Sequence, residues 1–302
     1  MSEVVIDCQK LSKRYRHSKI DALHELDIQV TAGEVYGFLG PNGAGKSTTI
    51  RTLLNFIQPT GGRATILGLD IVRDSLRIKR HIGYLSGDIA MYPKMTGAQF
   101  LDYMGELQPA ASKAYQAELV KRFQAELHKP LGALSRGTRQ KVGIVQAFMH
   151  QPKVLILDEP TSGLDPLMQE EFYKLIAESK QRGATVFSSS HILGEVQKIC
   201  DRVGIIREGR LIAERAIAEL AREASQTFDI VFKDKPPLGT LKALGGAEDV
   251  IAHGNTVTLH FRGELTPLLA ELARHDILKL DTQNLDLEEI FLRFYRQNGG
   301  RE

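Results

Sequence analysis

No tryptophan occurs among the 302 residues, and there are only two cysteines, Cys8 and Cys200. The two lie far apart and form no metal-ligand spacing. A disulfide scaffold and a zinc module are both excluded, and the pair is read as reduced cytosolic thiols. No charge of one sign dominates. Lysine and arginine total 39 against 37 aspartates and glutamates, a net charge of +2, which argues against a strongly electrostatic nucleic-acid binder. No segment approaches the ~20 apolar residues that a membrane span requires. Met1–Asp7 lacks both a basic n-region and a long apolar run, so no signal peptide is expected. A membrane role would therefore have to come through partner subunits. Sustained heptads and a low-complexity tail are missing too. What remains, 42% hydrophobic and 25% charged, is ordinary globular material, long enough for one large domain and a small one.

Against this plain background one stretch stands out. Gly40-Pro41-Asn42-Gly43-Ala44-Gly45-Lys46-Ser47-Thr48 meets every fixed position of G-x-x-x-x-G-K-[ST], the phosphate-cradling P-loop. The apolar run Glu34–Leu39 leads in as a buried strand, and Ser47–Phe56 leads out as a helix, the context that the motif needs. Gly40, Gly43 and Gly45 let backbone N–H groups approach phosphate oxygens without a Cβ in the way. The helix beginning near Lys46 adds the positive end of its dipole. Lys46 would reach the β- and γ-phosphates, and the Ser47 hydroxyl would ligate Mg²⁺. The motif predicts a nucleoside triphosphate site.

Along the chain, strands alternate with helices in the manner of a mostly parallel α/β core. Short strand-like runs at Val4–Cys8 and Ile28–Val30 flank a basic cluster with one aromatic, Lys13–His17, that reads by itself as a solvated loop. From Asp88 to His150 the pattern turns helical, with a capping box at Thr96–Gln99, a cap at Ser112 and a helix opened by Leu134–Thr138. Val154–Leu157 is apolar without alternation, a strand buried on both faces. It runs into Asp158 and Glu159. A further strand, Ala184–Ser188, ends at His191, and a hairpin follows at 203–213. Beyond residue 213 the order becomes β-α-β-β-α-β, with a terminal helix at Leu285–Tyr295, which suggests a small α+β domain of ferredoxin-like type. The expected division is 1–213 and 214–302, with a helical subdomain at about 88–150 in the first part.

Asp158 sits at the carboxyl end of a buried strand, where a carboxylate holds Mg²⁺ directly or through water. Glu159 suits the base that polarises an attacking water. His191 would touch the γ-phosphate from a neighbouring strand end, and the loop Ser162–Asp165 lies just past the carboxylates.

Gly40–Thr48, Leu134–Gly137, Val154–Glu159, Ser162–Asp165 and His191, in this order, resemble the nucleotide-binding subunit of an ATP-binding cassette (ABC) transporter. The similarity covers roughly residues 1–213, and its hallmark is the Leu-Ser-x-Gly stretch ahead of the Asp-Glu pair. The resemblance implies an α/β P-loop cassette with a mostly parallel sheet, an antiparallel β part and an inserted helical subdomain. It also implies a Mg²⁺-dependent ATPase in which two subunits, identical or paralogous, sandwich two ATP molecules. Ser135 and Gly137 would then reach the γ-phosphate held by the opposite protomer, Tyr15 would stack on adenine, and Asp165 would join the nucleotide-binding residues. The tail from Asp286 to Tyr295 is similar to that of ABC-2-type exporters, including bacitracin-resistance and multidrug subunits. The chain would thus sit on the cytoplasmic face of the membrane, bound to an integral permease through the segment 88–127, with no nucleic-acid partner. The competing expectation is a soluble ABC ATPase acting on ribosomes or nucleic acid. Two departures from the family pattern stand out. Arg136 and Thr138 replace a Gly and a Gln of the signature, and Gly87 replaces the glutamine expected after Ile82–Ser86, at the end of the strand-like run His81–Leu85. Asp88 or a water is expected to act at the metal in its place.

Overall fold

Patterning along each strand decides which of two sheets it joins in the first part of the chain. The computed structural model describes residues 3–87, 91–108, 111–223 and 226–283, and the chain divides into two units, Met1–Glu214 and Arg215–Glu302. β1 (Val4–Arg14) and β2 (Asp21–Thr31) pair antiparallel, with Cys8 opposite Ile28. In β2, buried Leu26, Ile28 and Val30 alternate with exposed Glu25, Asp27 and Gln29, the period of a sheet with one dry face. β3 (Val35–Leu39) is buried at all five positions and belongs to a parallel interior. The P-loop joins it to α1 (Lys46–Leu53). β4 (Gly61–Ile66) returns to pair with β1, and β5 (Leu69–Asp70) forms the edge of that sheet. α2 (Ser75–Lys79) then leads to β6 (Ile82–Leu85).

The helical part follows as α3 (Gly97–Glu106), α4 (Lys113–Phe123) and α5 (Arg136–Phe148). Thr96 and Gln99 make the reciprocal capping box, and Ser112 caps α4, which satisfies N–H groups that a helix start leaves unpaired. β7 (Val154–Asp158) and β8 (Thr185–Ser190) are buried throughout, with α6 (Pro166–Gln181) between them. α7 (Leu193–Ile199), β9 (Arg202–Arg207) and β10 (Arg210–Ala216) close this unit. The larger sheet runs β10-β9-β3-β8-β7-β6, and the pairs β9–β3, β3–β8, β8–β7 and β7–β6 are parallel. Consequently the carboxyl ends of β3, β8 and β7 lie side by side, the edge on which such sheets bind ligands.

In the second unit, α8 (Ile217–Glu223) precedes β11 (Gln226–Phe232), α9 (Leu238–Ala243), β12 (Ala247–His253), β13 (Thr256–Phe261), α10 (Thr266–Leu272) and β14 (Ile277–Gln283). The sheet order β12-β13-β11-β14 is antiparallel throughout. Phe228, Ile230 and Phe232 on β11 pack with Leu241 of α9 and Leu268 of α10 in a core of the unit's own. The terminal helix expected at Leu285–Tyr295 lies outside the described residues.

Several elements differ from the sequence expectation, among them β1, β2 and α7. β1 and β2 extend well past the short apolar runs, so Lys13 and Arg14 end a strand rather than lie in a loop. Register shifts near Lys10 and Glu25, both at positive φ, break the alternation that marks a strand. The seven-residue α7 was not expected at all; its turn count is too small for a period to show.

His150, just past α5, is buried, and its Nε2 lies 3.0 Å from the Ile82 carbonyl on β6. A carbonyl only accepts, so the proton sits on Nε2, and Nδ1 has no partner among the described residues. Burial pushes the pKa of this ring below its ordinary value. The unfolded chain therefore binds the proton more readily, and the stability contributed by the neutral ring is complete above about pH 6.5 and lost as pH falls toward the folded value. Denaturant midpoints measured at pH 7.5 and 5.5 should fall with acid in the wild type and fall less in His150→Gln. Equal falls would place the acid sensitivity elsewhere.

Candidate active site

The P-loop is wedged between two strands. A Cβ on Gly40 would lie 2.4 Å from the Ile206 carbonyl of β9, and one on Gly45, at φ +111°, would lie 2.9 Å from that of Ala22 on β2. Only glycine fits either place. Gly45 is also the N-cap of α1 and brings no side-chain hydrogen bond to it, so the first-turn N–H groups of this helix remain available to an anion. Lys46 is 5% exposed; its ammonium donates to the carbonyls of Gly40 (2.7 Å) and Pro41 (3.1 Å). Tyr15 stands beside the same helix, with its hydroxyl 3.3 Å from that of Thr48 and its ring half-exposed.

The paired carboxylates leave β7 into different surroundings. Asp158 is buried opposite Ser189 of β8, whose hydroxyl donates to its Oδ1 at 2.6 Å. Glu159 turns out of the strand at φ +47°, and its N–H donates to the Ser189 carbonyl and hydroxyl, both at 3.2 Å. Its carboxylate is 25% exposed and lies 3.5 Å from Lys46 Nζ and 3.1 Å from His191 Nδ1. Lys46, Glu159 and His191, which span 146 residues of sequence, therefore meet at one point on the sheet edge.

The Leu134–Gly137 stretch forms the tip of α5. Ser135 is its N-cap and accepts from the Thr138 N–H (3.2 Å), and the hydroxyls of Ser135 and Thr138 lie 2.8 Å apart. Among the described residues no hydrogen bond joins Ser135 to the P-loop. A Cβ on Gly137 would lie 2.3 Å from the Gly163 carbonyl, so the tip packs directly on the Ser162–Asp165 loop. Asp165 caps α6 through Met168 N–H (3.0 Å) and lies 3.7 Å from Lys141 of α5. Gln140, buried, donates to the Pro160 carbonyl at 2.6 Å. The two departures noted in the sequence meet here: Arg136 donates to the Gly87 carbonyl at 3.4 Å, and Gly87 lies so near Asp158 that a Cβ would stand 3.0 Å from its carbonyl oxygen. Asp88 lies outside the described residues.

Sequence reasoning passed over Ser189, Gln140, Thr161 and Glu195, all buried at this edge. A signal existed in Ser188-Ser189-Ser190, three hydroxyls in a strand buried on both faces, where each polar group needs a partner.

The chain is similar to known proteins. A family model described as "ABC transporter" matches residues 23–162. An uncharacterized ABC transporter ATP-binding protein of Synechocystis is 33% identical, over 98% of this chain and 86% of its own length. The bacitracin transport ATP-binding protein BcrA of Bacillus licheniformis is 34% identical over 96% of each. Among solved structures, the ATP-binding subunit of an ABC transporter superposes with a TM-score of 0.66 at 29% identity, covering 72% of this chain and 92% of that one.

The packing of Gly137 on Gly163 gives a direct test. Gly137→Ala sets a methyl group against a backbone carbonyl that cannot swing aside. We expect a loss of about 1–3 kcal/mol, read as a lower melting temperature, together with slower ATP turnover. Gly105→Ala is the control, since its nearest neighbours would lie 4.0 Å away. Equal melting temperatures for the two variants would refute the contact.

Proposed function

The chain belongs to the ABC transporter ATP-binding proteins, and we propose that it drives export across a membrane through the residues gathered at Lys46, Glu159 and His191. As a member of that family it binds and hydrolyses ATP, and such subunits dimerise and work with transmembrane permeases. The meeting of an ammonium, a carboxylate and an imidazole beside an open helix N-terminus is the observation that carries the residue assignment.

In this reading, the N–H groups from Gly40, Asn42, Gly43, Ala44, Gly45 and the start of α1 receive the phosphates, while Pro41, which has no N–H, shapes the loop around them. Lys46 exchanges its two loop carbonyls for β- and γ-phosphate oxygens, stronger acceptors for an ammonium. Glu159 accepts the proton of the attacking water, and His191 steadies the γ-phosphate from β8. Tyr15, next to Thr48, offers its ring to the adenine. Ser47 and Asp158 present hard oxygen donors suited to Mg²⁺; when bound, the ion neutralises charge on the β- and γ-phosphates. The tip of α5, with Ser135 and Gly137, would close the site of a second copy or a paralogue, with Asp165 at the shared boundary. The relatives named for bacitracin transport and, in Escherichia coli, for probable multidrug transport support an exporter.

A permease would dock on the helical part. A cavity of about 560 Å³ opens there between the end of α1, β6 and α3, lined by Phe56, Tyr84, Tyr92, Phe100 and Met104 among others. Phe56 and Tyr92 are each more than half exposed, at 53% and 54%, which is expensive surface to leave in water. Among the described residues no helix is long and apolar enough to cross a membrane, so attachment through this face fits a peripheral subunit on the cytoplasmic side.

Glu159→Gln removes the base but keeps the site, so ATP should shift this variant from monomer to a stable dimer in size-exclusion chromatography. A variant that binds ATP yet stays monomeric would count against the paired-site reading. Separately, Phe56→Glu with Tyr92→Glu should release the chain from membranes that contain its permease, while the detached protein keeps its ATPase rate within about twofold.

A further inference from the structure

Glu195, on α7, has no place in the scheme above, yet it is one of the few acidic side chains held inside this unit, at 9% exposure. Both carboxylate oxygens are engaged. Oε1 accepts from the Thr161 hydroxyl, and Oε2 accepts from the Ser190 hydroxyl at 2.7 Å. Thr161 and Ser190 are themselves buried. Thr161 lies two residues beyond Glu159, and Ser190 immediately precedes His191. The Ser190 hydroxyl also accepts from the Ile192 N–H at 3.0 Å, which closes a tight turn around His191. Burying a carboxylate costs several kcal/mol unless it is fully hydrogen-bonded. Packing alone would be served better by an apolar side chain.

The Glu159–His191 contact cannot hold itself. Its two side chains are 25% and 44% exposed, and pairs at that exposure contribute little. What sets their 3.1 Å separation is the backbone of the two loops that carry them. We propose that Glu195 is a positioning residue that clamps the Glu159 and His191 loops together from beneath, so that base and imidazole face the same phosphate. Its two contacts are with the hydroxyls of Thr161 and Ser190, so it acts through the loops that carry Glu159 and His191. The proposal rests on the reading of Glu159 and His191 as the catalytic pair.

The full-length protein carries the test, through steady-state ATPase rates and equilibrium ATP binding. Glu195→Ala should lower kcat by about 10- to 100-fold, the scale of a misplaced catalytic group, while KM and Kd for ATP move less than about twofold. Glu195→Gln keeps the shape and can bond both hydroxyls, so it should recover most of the rate. Ser190→Ala and Thr161→Val each remove one arm, should give intermediate losses, and keep the test alive if Glu195→Ala does not fold. In a His191→Ala background, Glu195→Ala should cost nothing further, because residues that act through one another are not additive. Losses that multiply in the double variant, a change confined to KM, or a folded Glu195→Ala with wild-type kcat would each overturn the clamp. A wild type that turns over ATP independently of Glu159 and His191 would instead refute the catalytic reading beneath it.

Discussion

The register of two parallel strands governs the whole site. β7 and β8 are aligned so that Asp158 stands opposite Ser189, and the Ser189 hydroxyl binds Asp158 while its carbonyl receives the Glu159 N–H. A slip of one residue would turn Ser189 to the other face of the sheet. Asp158 would then be buried without its donor, and Glu159 would leave the strand in another direction. Both strands are dry on both faces, with all five residues of β7 and all six of β8 in the core, so the register is pinned by the buried polar groups, which a slip would leave without partners.

That shared edge separates two carboxylates that are neighbours in the chain. Asp158 is enclosed and oriented by a hydroxyl, which suits a ligand that must not move. Glu159 faces outward between Lys46 and His191, which suits a group that handles a proton. Environment, rather than residue type, separates the two roles proposed for them. The signature tip is built by the same logic at longer range. Gly137 packs on Gly163, and Gln140 ties α5 to the Pro160 carbonyl, so the surface proposed to meet a partner's nucleotide is mechanically joined to the loop that follows the chain's own carboxylates.

The departures at Gly87, Arg136 and Thr138 also find a physical account. Thr138 shares a hydrogen bond with Ser135, and Arg136 reaches the Gly87 carbonyl. Gly87, in turn, stands against the Asp158 backbone where a larger residue would crowd it. The substitutions are thus neighbours in space although 49 residues separate Gly87 from Arg136, and one local arrangement accommodates both.

Much of this was legible in the chain itself. A glycine pattern that only one backbone shape tolerates marked the phosphate loop, unbroken apolar runs marked the interior strands, and Thr96–Gln99 and Ser112 marked helix starts, because each of these signals is local. Bulges hid the true length of β1 and β2 by resetting the period, and α7 was too short to show one. Glu195, Ser190 and Thr161 were invisible as a group for a different reason. Their meeting depends on the strand order β3-β8-β7 and on which residues that order sets opposite each other, and no window of neighbouring residues carries that information. Sequence alone determined the chemistry available at each position. Tertiary structure decided which of those groups stand within hydrogen-bond reach, because that distance is set by packing among elements far apart in the chain.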